Sequence, residues 1–265
     1  MTAPTDVWAA GNAYEPYMGR WSRLVASEFV AWLAAAADAR WLDVGCGTGG
    51  LTSTVLTAVA PARVCSLDAS GAYVEFARRQ LSDARAMFVV ADARKLPARA
   101  ASADMVVSGL MLNFVSEPEL AVSEMVRAVR RGGTVALYVW DYAGEMQLIR
   151  YFWDASLELD PRAATLDEGR RFPLCHPRNL ERLFHDAGLE QVENRSIEVK
   201  TRFRDFADYW TPFLGGQGPA PGYAMSLSED KRARLRDKLR ARLPVAPDGS
   251  IELLARAWAV RGLRP

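Results

Sequence analysis

The ten residues from Trp41 to Gly50, Trp-Leu-Asp-Val-Gly-Cys-Gly-Thr-Gly-Gly, constrain the fold of this chain more than any other stretch. A short apolar run (Trp41, Leu42, Val44) reads as a buried strand, and glycines at 45, 47, 49 and 50 force a tight turn. The periodic segment 51–59 that follows reads as a helix. Glycine lets the backbone reach positive φ and lets a ligand lie against bare main chain. The start of the helix adds unpaired N–H groups and the positive end of a dipole. The product is a strand, a turn and a helix with a ligand cradle between them.

Two ligand classes use such a turn, and spacing alone does not separate them. Gly45-x-Gly47-x-x-Gly50 matches the dinucleotide fingerprint. Asp43 counts against that reading, because a carboxylate just before the first glycine repels a pyrophosphate and attracts a cationic ligand.

Beyond residue 40, strand-like and helix-like segments alternate, which favours an α/β sheet with mostly parallel strands. Strands are expected at 63–67, 86–91, 105–108 and 134–140, with helices at 70–81, 118–129 and 179–187. Arg131-Gly132-Gly133 reads as a turn, and Gly188 as a helix stop. An N-terminal helix is expected over 17–37. Segments 189–199 and 250–260 look like a closing antiparallel hairpin. Residues 200–249 interrupt that hairpin and hold an aromatic cluster followed by a Gly/Pro-rich loop over 215–222. The expected organisation is a single domain over 1–265, with an N-terminal helical cap (1–38), a cofactor-binding core (39–199), a substrate-side insertion or lid (200–249) and a closing strand (250–265).

Asp43-x-Gly45-x-Gly47-x-Gly49 is followed by Asp68 at a strand end. Next come Asp92 in Val90-Ala91-Asp92-Ala93 ahead of Leu96-Pro97, Val106-Val107-Ser108, and Arg130-Arg131-Gly132-Gly133. In this order the series resembles the class I S-adenosylmethionine-dependent methyltransferases over residues 41 to 140, and most closely their small-molecule, ubiquinone-biosynthesis-like branch. The resemblance implies a Rossmann-like, seven-stranded, mostly parallel sheet with helices on both faces, an antiparallel last strand and helical cover segments. It implies S-adenosylmethionine as cofactor and S-adenosylhomocysteine as product. Asp43, Gly45, Cys46, Gly47, Thr48 and Gly49 would form the cradle. Asp68 would accept the ribose hydroxyls, with Ala69 and Ser70 beside it, while Asp92 would receive the adenine amino group next to Ala93. The carbonyl end of the strand at Ser108 would meet the methionine part. Tyr17, Arg20 and Trp21 would cross the cofactor, Arg20 pairing with its carboxylate. The plainer readings are Ser70 as a helix cap, Asp92 as a solvated loop acid, and Arg20 on the surface with Trp21 in the core.

On the substrate side, methyl transfer from a sulfonium needs alignment and exclusion of water more than it needs a base. Asp141, after the fifth strand, is a candidate base with a helix cap as its alternative, and His176 is a candidate whose alternative is helix-start structure. Tyr14, Asn113, Trp140, Tyr142, Trp153, Trp210, Phe213 and Gln217 are the expected pocket. Asn113 is not followed by Pro-Pro, which counts against methylation of adenine or glutamine amides. Segment 200–222 is expected to act as a lid, against the duller reading that its aromatic side chains only pack.

A net charge of +1 gives no global pull towards nucleic acid or membrane. The cations of 231–242 are expected to be the wet face of a helix packed through Leu235 and Leu239. Three cysteines form neither a disulfide framework nor a metal-ligand spacing, so no metal is expected. The first twelve residues carry no leader pattern, which makes the cytoplasm the expected compartment. The expected partner is a small-molecule substrate, with no nucleic acid and no membrane, and a homodimer is the candidate assembly. The competing functions are cofactor binding without methyl transfer or with non-methyl chemistry, and methylation of a macromolecule.

Overall fold

Val106-Val107 and Val135–Val139 show no polar alternation because both faces of these strands are covered, as central strands of parallel sheets require. The computed structural model describes residues 15–216 and 218–265, so Tyr14 and Gln217 lie outside the described residues. A π-helical turn, Glu15–Gly19, leads into α1 (Arg20–Leu33), β1 (Arg40–Val44), α2 (Gly50–Ala58), β2 (Arg63–Asp68) and α3 (Gly71–Gln80). Then come β3 (Ala86–Val90), β4 (Ala103–Gly109), α4 (Pro118–Ala128), β5 (Val129–Trp140) and α5 (Gln147–Leu159). The chain ends with α6 (Pro177–Asp186), β6 (Glu190–Phe203), α7 (Phe206–Trp210), α8 (Pro219–Ser226), α9 (Glu229–Arg242) and β7 (Ile251–Leu263).

The seven strands form one sheet in the order β3-β2-β1-β4-β5-β7-β6. Strands β1 to β5 pair in parallel, and β7 runs antiparallel to β5. Edge strand β6 alternates buried Ile197, Val199, Thr201 and Phe203 with exposed Glu198, Lys200 and Arg202, and charge on an edge discourages further pairing.

The chain forms two compact units. A sheet unit comprises 22–140, 174–197 and 257–265, and a helical unit comprises the described residues up to Trp21 with 141–173 and 198–256.

Two local expectations are corrected. Arg131–Gly133 is a bulge inside β5, not a turn before it: the register passes from Ala103↔Val129 to Met105↔Thr134, so β5 carries extra residues. Hydrogen bonds from Gly132 N to Arg264 O (2.7 Å) and from Arg264 N to Gly133 O (3.0 Å) hold the bulge. The second half of the Gly/Pro-rich segment opens α8, with Gly218 as its N-cap and Pro219 in its first turn, where proline loses no hydrogen bond.

The helical unit is built on rings. Phe152 stacks on Phe213 at 4.6 Å and meets Trp153 edge-on at 5.2 Å, while Tyr209 packs on Phe203 at 5.4 Å. Arg150 clamps Asp167 through two bonds of 2.8 and 2.9 Å. The cations of α9 do lie outside its buried Leu235 and Leu239. Among the described residues no helix is long and apolar enough to cross a membrane.

Candidate functional site

The turn after β1 is tied to the end of β2. Gly45 N and Cys46 N both donate to Leu67 O, at 2.7 and 2.9 Å. Gly47 N donates to Asp68 Oδ2 at 2.9 Å, and Ser70 N donates to Asp68 Oδ1 at 2.8 Å. Burial pushes the Asp68 carboxyl up while these two N–H groups favour its charge. Each carboxylate oxygen accepts one of these bonds and has capacity for two, so each keeps a lone pair for an outside hydroxyl. The glycines divide the work. At Gly49 (φ 88°) a Cβ would lie 2.8 Å from Leu81 Cδ1, so the residue serves packing; at Gly47 (φ 52°) nothing lies within 4 Å, so bare main chain faces open space. Gly45 sits hard against Met111.

Behind the turn, Asp43 has no solvent exposure. Its Oδ2 accepts from the Thr52 hydroxyl at 2.7 Å, Thr52 Oγ1 and Ser66 Oγ are 2.7 Å apart, and Asp43 Oδ1 has no partner. Burial pushes this carboxyl up to about 7. The Ser108 hydroxyl and both amide atoms of Asn113 are likewise buried without partners. Asp43 pairs in register with Val107, which places Asp43 and Ser108 at the same carboxyl edge of the sheet. An unpaired buried polar group costs ~1–3 kcal/mol, and such groups are rare in native folds. Gly47 meanwhile leaves open space in front of the turn.

The other sheet-unit residues fall as follows. The Cys46 thiol is pushed up by burial and then by the charges of Asp43 and Asp68, so it stays a thiol and is no nucleophile. Thr48 is half-buried in the turn, Ala69 is exposed, and Ser70 caps α3. Asp92 is exposed on the loop with Ala93, and Arg94 grips it at 2.7 Å and holds its carboxyl down to about 2. It therefore keeps its charge, and an adenine amino group would have to share it with Arg94. Trp140 is buried at the end of β5. His176 is corrected from a candidate base to the N-cap of α6: its Nδ1 accepts from Arg178 N at 3.3 Å and its side chain is exposed.

In the helical unit, Arg20 binds Asp208 through bonds of 3.1 and 3.2 Å and lies over the rings of Trp21 and Phe203. Its ion-pair partner is thus Asp208, where the expectation was a pairing with the cofactor's carboxylate. Tyr17 and Trp21 are buried, Tyr17 edge-on to Phe213 at 5.5 Å. Asp141 accepts from Glu145 N at 2.9 Å and pairs with Arg256 at 2.7 Å, so it closes a turn instead of standing free as a base. Trp153 and Phe213 have no exposure, and Trp210 and Tyr142 are also buried. Trp153 donates to the carboxylate of Glu168. These aromatic residues pack the unit, which corrects the expectation that Trp153 and Phe213 form an open pocket. Sequence reasoning missed Thr52, Ser66, Met111 and Glu168; Thr52 is followed by Ser53 and Thr54, so nothing in the sequence singled it out. Among the described residues no three His, Cys, Asp or Glu side chains cluster to hold a metal.

Comparison with known proteins agrees with this cradle. The family model described as "Methyltransferase domain" matches residues 42–137. A malonyl-[acyl-carrier protein] O-methyltransferase of Hahella chejuensis is 35% identical over 92 residues, covering 35% of this chain and 33% of that protein. A demethylmenaquinone methyltransferase of Clavibacter sepedonicus is 37% identical over 106 residues, covering 40% of this chain and 42% of that protein. The chain therefore matches less than half the length of either relative. Among solved structures, phosphoethanolamine N-methyltransferase 2 of Haemonchus contortus, in complex with phosphomonomethylethanolamine and S-adenosylhomocysteine, superposes with a TM-score of 0.60 at 16% identity. That superposition covers 96% of this chain and 57% of that one, and so shows the shared fold. Over residues 42–137 the chain is thus similar to methyltransferase domains, and the superposition shows that it shares their fold.

Proposed function

We propose that the chain transfers a methyl group from S-adenosylmethionine to a small, aromatic or hydrophobic metabolite through an oxygen, nitrogen or carbon acceptor. The observation that carries this reading is the set of buried, unpaired polar atoms on Asp43, Ser108 and Asn113, together with a glycine turn whose Gly47 faces open space. When bound, the cofactor supplies a methyl group already activated on a sulfonium. The chain's own residues then have three tasks. Asp68 accepts ribose hydroxyls with the lone pairs left over from Gly47 N and Ser70 N. Asp43 offers negative charge to a cationic ligand. Asn113, with a donor and an acceptor both unspent, orients the acceptor molecule.

A general base is not required for this chemistry, and the two candidates, Asp141 and His176, are both engaged in local structure. The printed name of one relative, demethylmenaquinone methyltransferase, supports a hydrophobic, quinone-type acceptor. The test is incubation with methyl-labelled S-adenosylmethionine and a metabolite extract, followed by mass analysis. A labelled product of low mass is the expected result. Label on protein or RNA would favour macromolecule methylation, and cofactor binding with no labelled product would favour a binding protein.

A further inference from the structure

A second cleft lies wholly within the helical unit, with none of its lining in the cofactor cradle. It encloses about 150 Å³ between the end of α5 (Ser156, Leu159), the short 3₁₀ turn Pro161–Thr165 with its cap Asp160, α8 (Tyr223) and the start of α9. This is room for several waters or one small organic molecule. One side is apolar: Leu235 is fully buried, Leu227 is half-buried, and Leu159 remains exposed although it is a large aliphatic residue. The ring of Tyr223 adds a flat wall.

The other side is cationic. Arg162, Lys231 and Arg234 line it against a single acid, Asp160. Asp160 is already spent, because Arg162 binds it at 2.9 and 3.0 Å and Arg162 N donates to it at 3.1 Å. Neighbouring Glu158 is taken by Lys238 and Arg242. Arg234 and Lys231 make no ion pair or hydrogen bond among the described residues, though Lys231 acts on Asp160 at longer range. Two uncommitted cations beside an apolar floor form an amphiphilic receptor. A guanidinium can bind a carboxylate through two parallel bonds, and the leucines and Tyr223 would desolvate an attached ring or short chain.

We propose that this cleft binds a small carboxylate with an aryl or branched aliphatic body, at a site separate from the cofactor cradle. The carboxylate meets Arg234 and Lys231, and the apolar body lies against Leu159, Leu227, Leu235 and Tyr223. The test uses the whole chain and benzoate as probe, followed by NMR titration. Saturable shifts centred on Leu159, Tyr223 and Leu235 are expected. Inorganic phosphate and benzyl alcohol, each with half of the chemistry, should bind at least about tenfold more weakly. K231A/R234A should lose benzoate by a similar factor while S-adenosylhomocysteine affinity stays unchanged. Both cations are exposed, so the variant is expected to keep the parent's melting temperature, and Arg234→Gln serves as the milder replacement if it does not. Benzoate shifts that never saturate, equal binding of phosphate, or benzoate affinity unchanged in the variants would each overturn the proposal.

Discussion

Asp43 carries one oxygen satisfied by Thr52 and one facing no donor, in a place where water does not reach. Its carboxyl sits up at about 7 in the ligand-free protein, against 3.8 for an ordinary aspartate. A positively charged ligand favours the carboxylate, so binding below pH 7 must first drive off a proton. Affinity for S-adenosylhomocysteine, whose amino group is cationic, should therefore fall roughly tenfold per pH unit below 7 and level off above it. Calorimetry in buffers of different ionisation enthalpy checks this through the proton released. Asp43→Asn should flatten the profile, and a flat profile in the parent would remove Asp43 from contact with the ligand's charge. The same shift has an opposite sign for fold stability. Because the folded value is raised, the contribution of Asp43 is full below about 4 and is lost as pH rises through about 7. Asp68 differs, since its oxygens already hold two backbone N–H groups. Asp68→Ala should weaken the cofactor by ~2–4 kcal/mol and also cost the ligand-free fold ~1–3 kcal/mol, read by calorimetry and chemical denaturation.

At the scale of elements, the glycine turn separates two demands that one motif conceals. Gly49→Ala forces a left-handed alanine and drives its Cβ towards Leu81 and Ala77 on α3, so it should destabilise by ~2–3 kcal/mol. Gly47→Ala meets no neighbour and should cost only ~1–2 kcal/mol of fold stability. Its methyl group would nevertheless stand in the open space that admits the ligand, so cofactor affinity should drop at least about tenfold. Melting curves with and without S-adenosylhomocysteine distinguish the two variants; equal loss of the ligand-induced shift in both would show that the turn acts only as a whole. The strands and helices from 40 to 140 were legible because their signals are local: apolar runs, caps such as Ser70, and a proline at the start of α4. The bulge at Arg131–Gly133 was not, since its partner Arg264 lies at the other end of the chain. The α8 helix hid behind Gly218 and Pro219, residues that break a helix in its middle and suit its beginning.

For the molecule as a whole, legibility follows the division into two units. The cofactor cradle depends on backbone turns and single acids at strand ends, and these leave a fixed spacing in the sequence. The helical unit depends on ring against ring between segments far apart in the chain, Phe152 with Phe213 or Trp21 with Phe203, and no spacing records such pairs. Its aromatic residues therefore read equally well as pocket or core, and the structure makes them core. The division also predicts where ligand binding is felt. Residues 43–49, 68–70, 92–93, 108 and 113 all belong to the sheet unit. A ligand at one hundred times its Kd stabilises the state it binds by ~2.7 kcal/mol, close to a hundredfold in an opening equilibrium. Amides of the glycine turn and of the Asp68–Ser70 loop should thus slow their hydrogen exchange by up to about a hundredfold when S-adenosylhomocysteine is added. Amides of α8 and α9, which open within the helical unit, should exchange at nearly their former rates. Mass spectrometry of exchanged peptides resolves these segments, and protection of α9 equal to that of the glycine turn would contradict a cofactor held by the sheet unit.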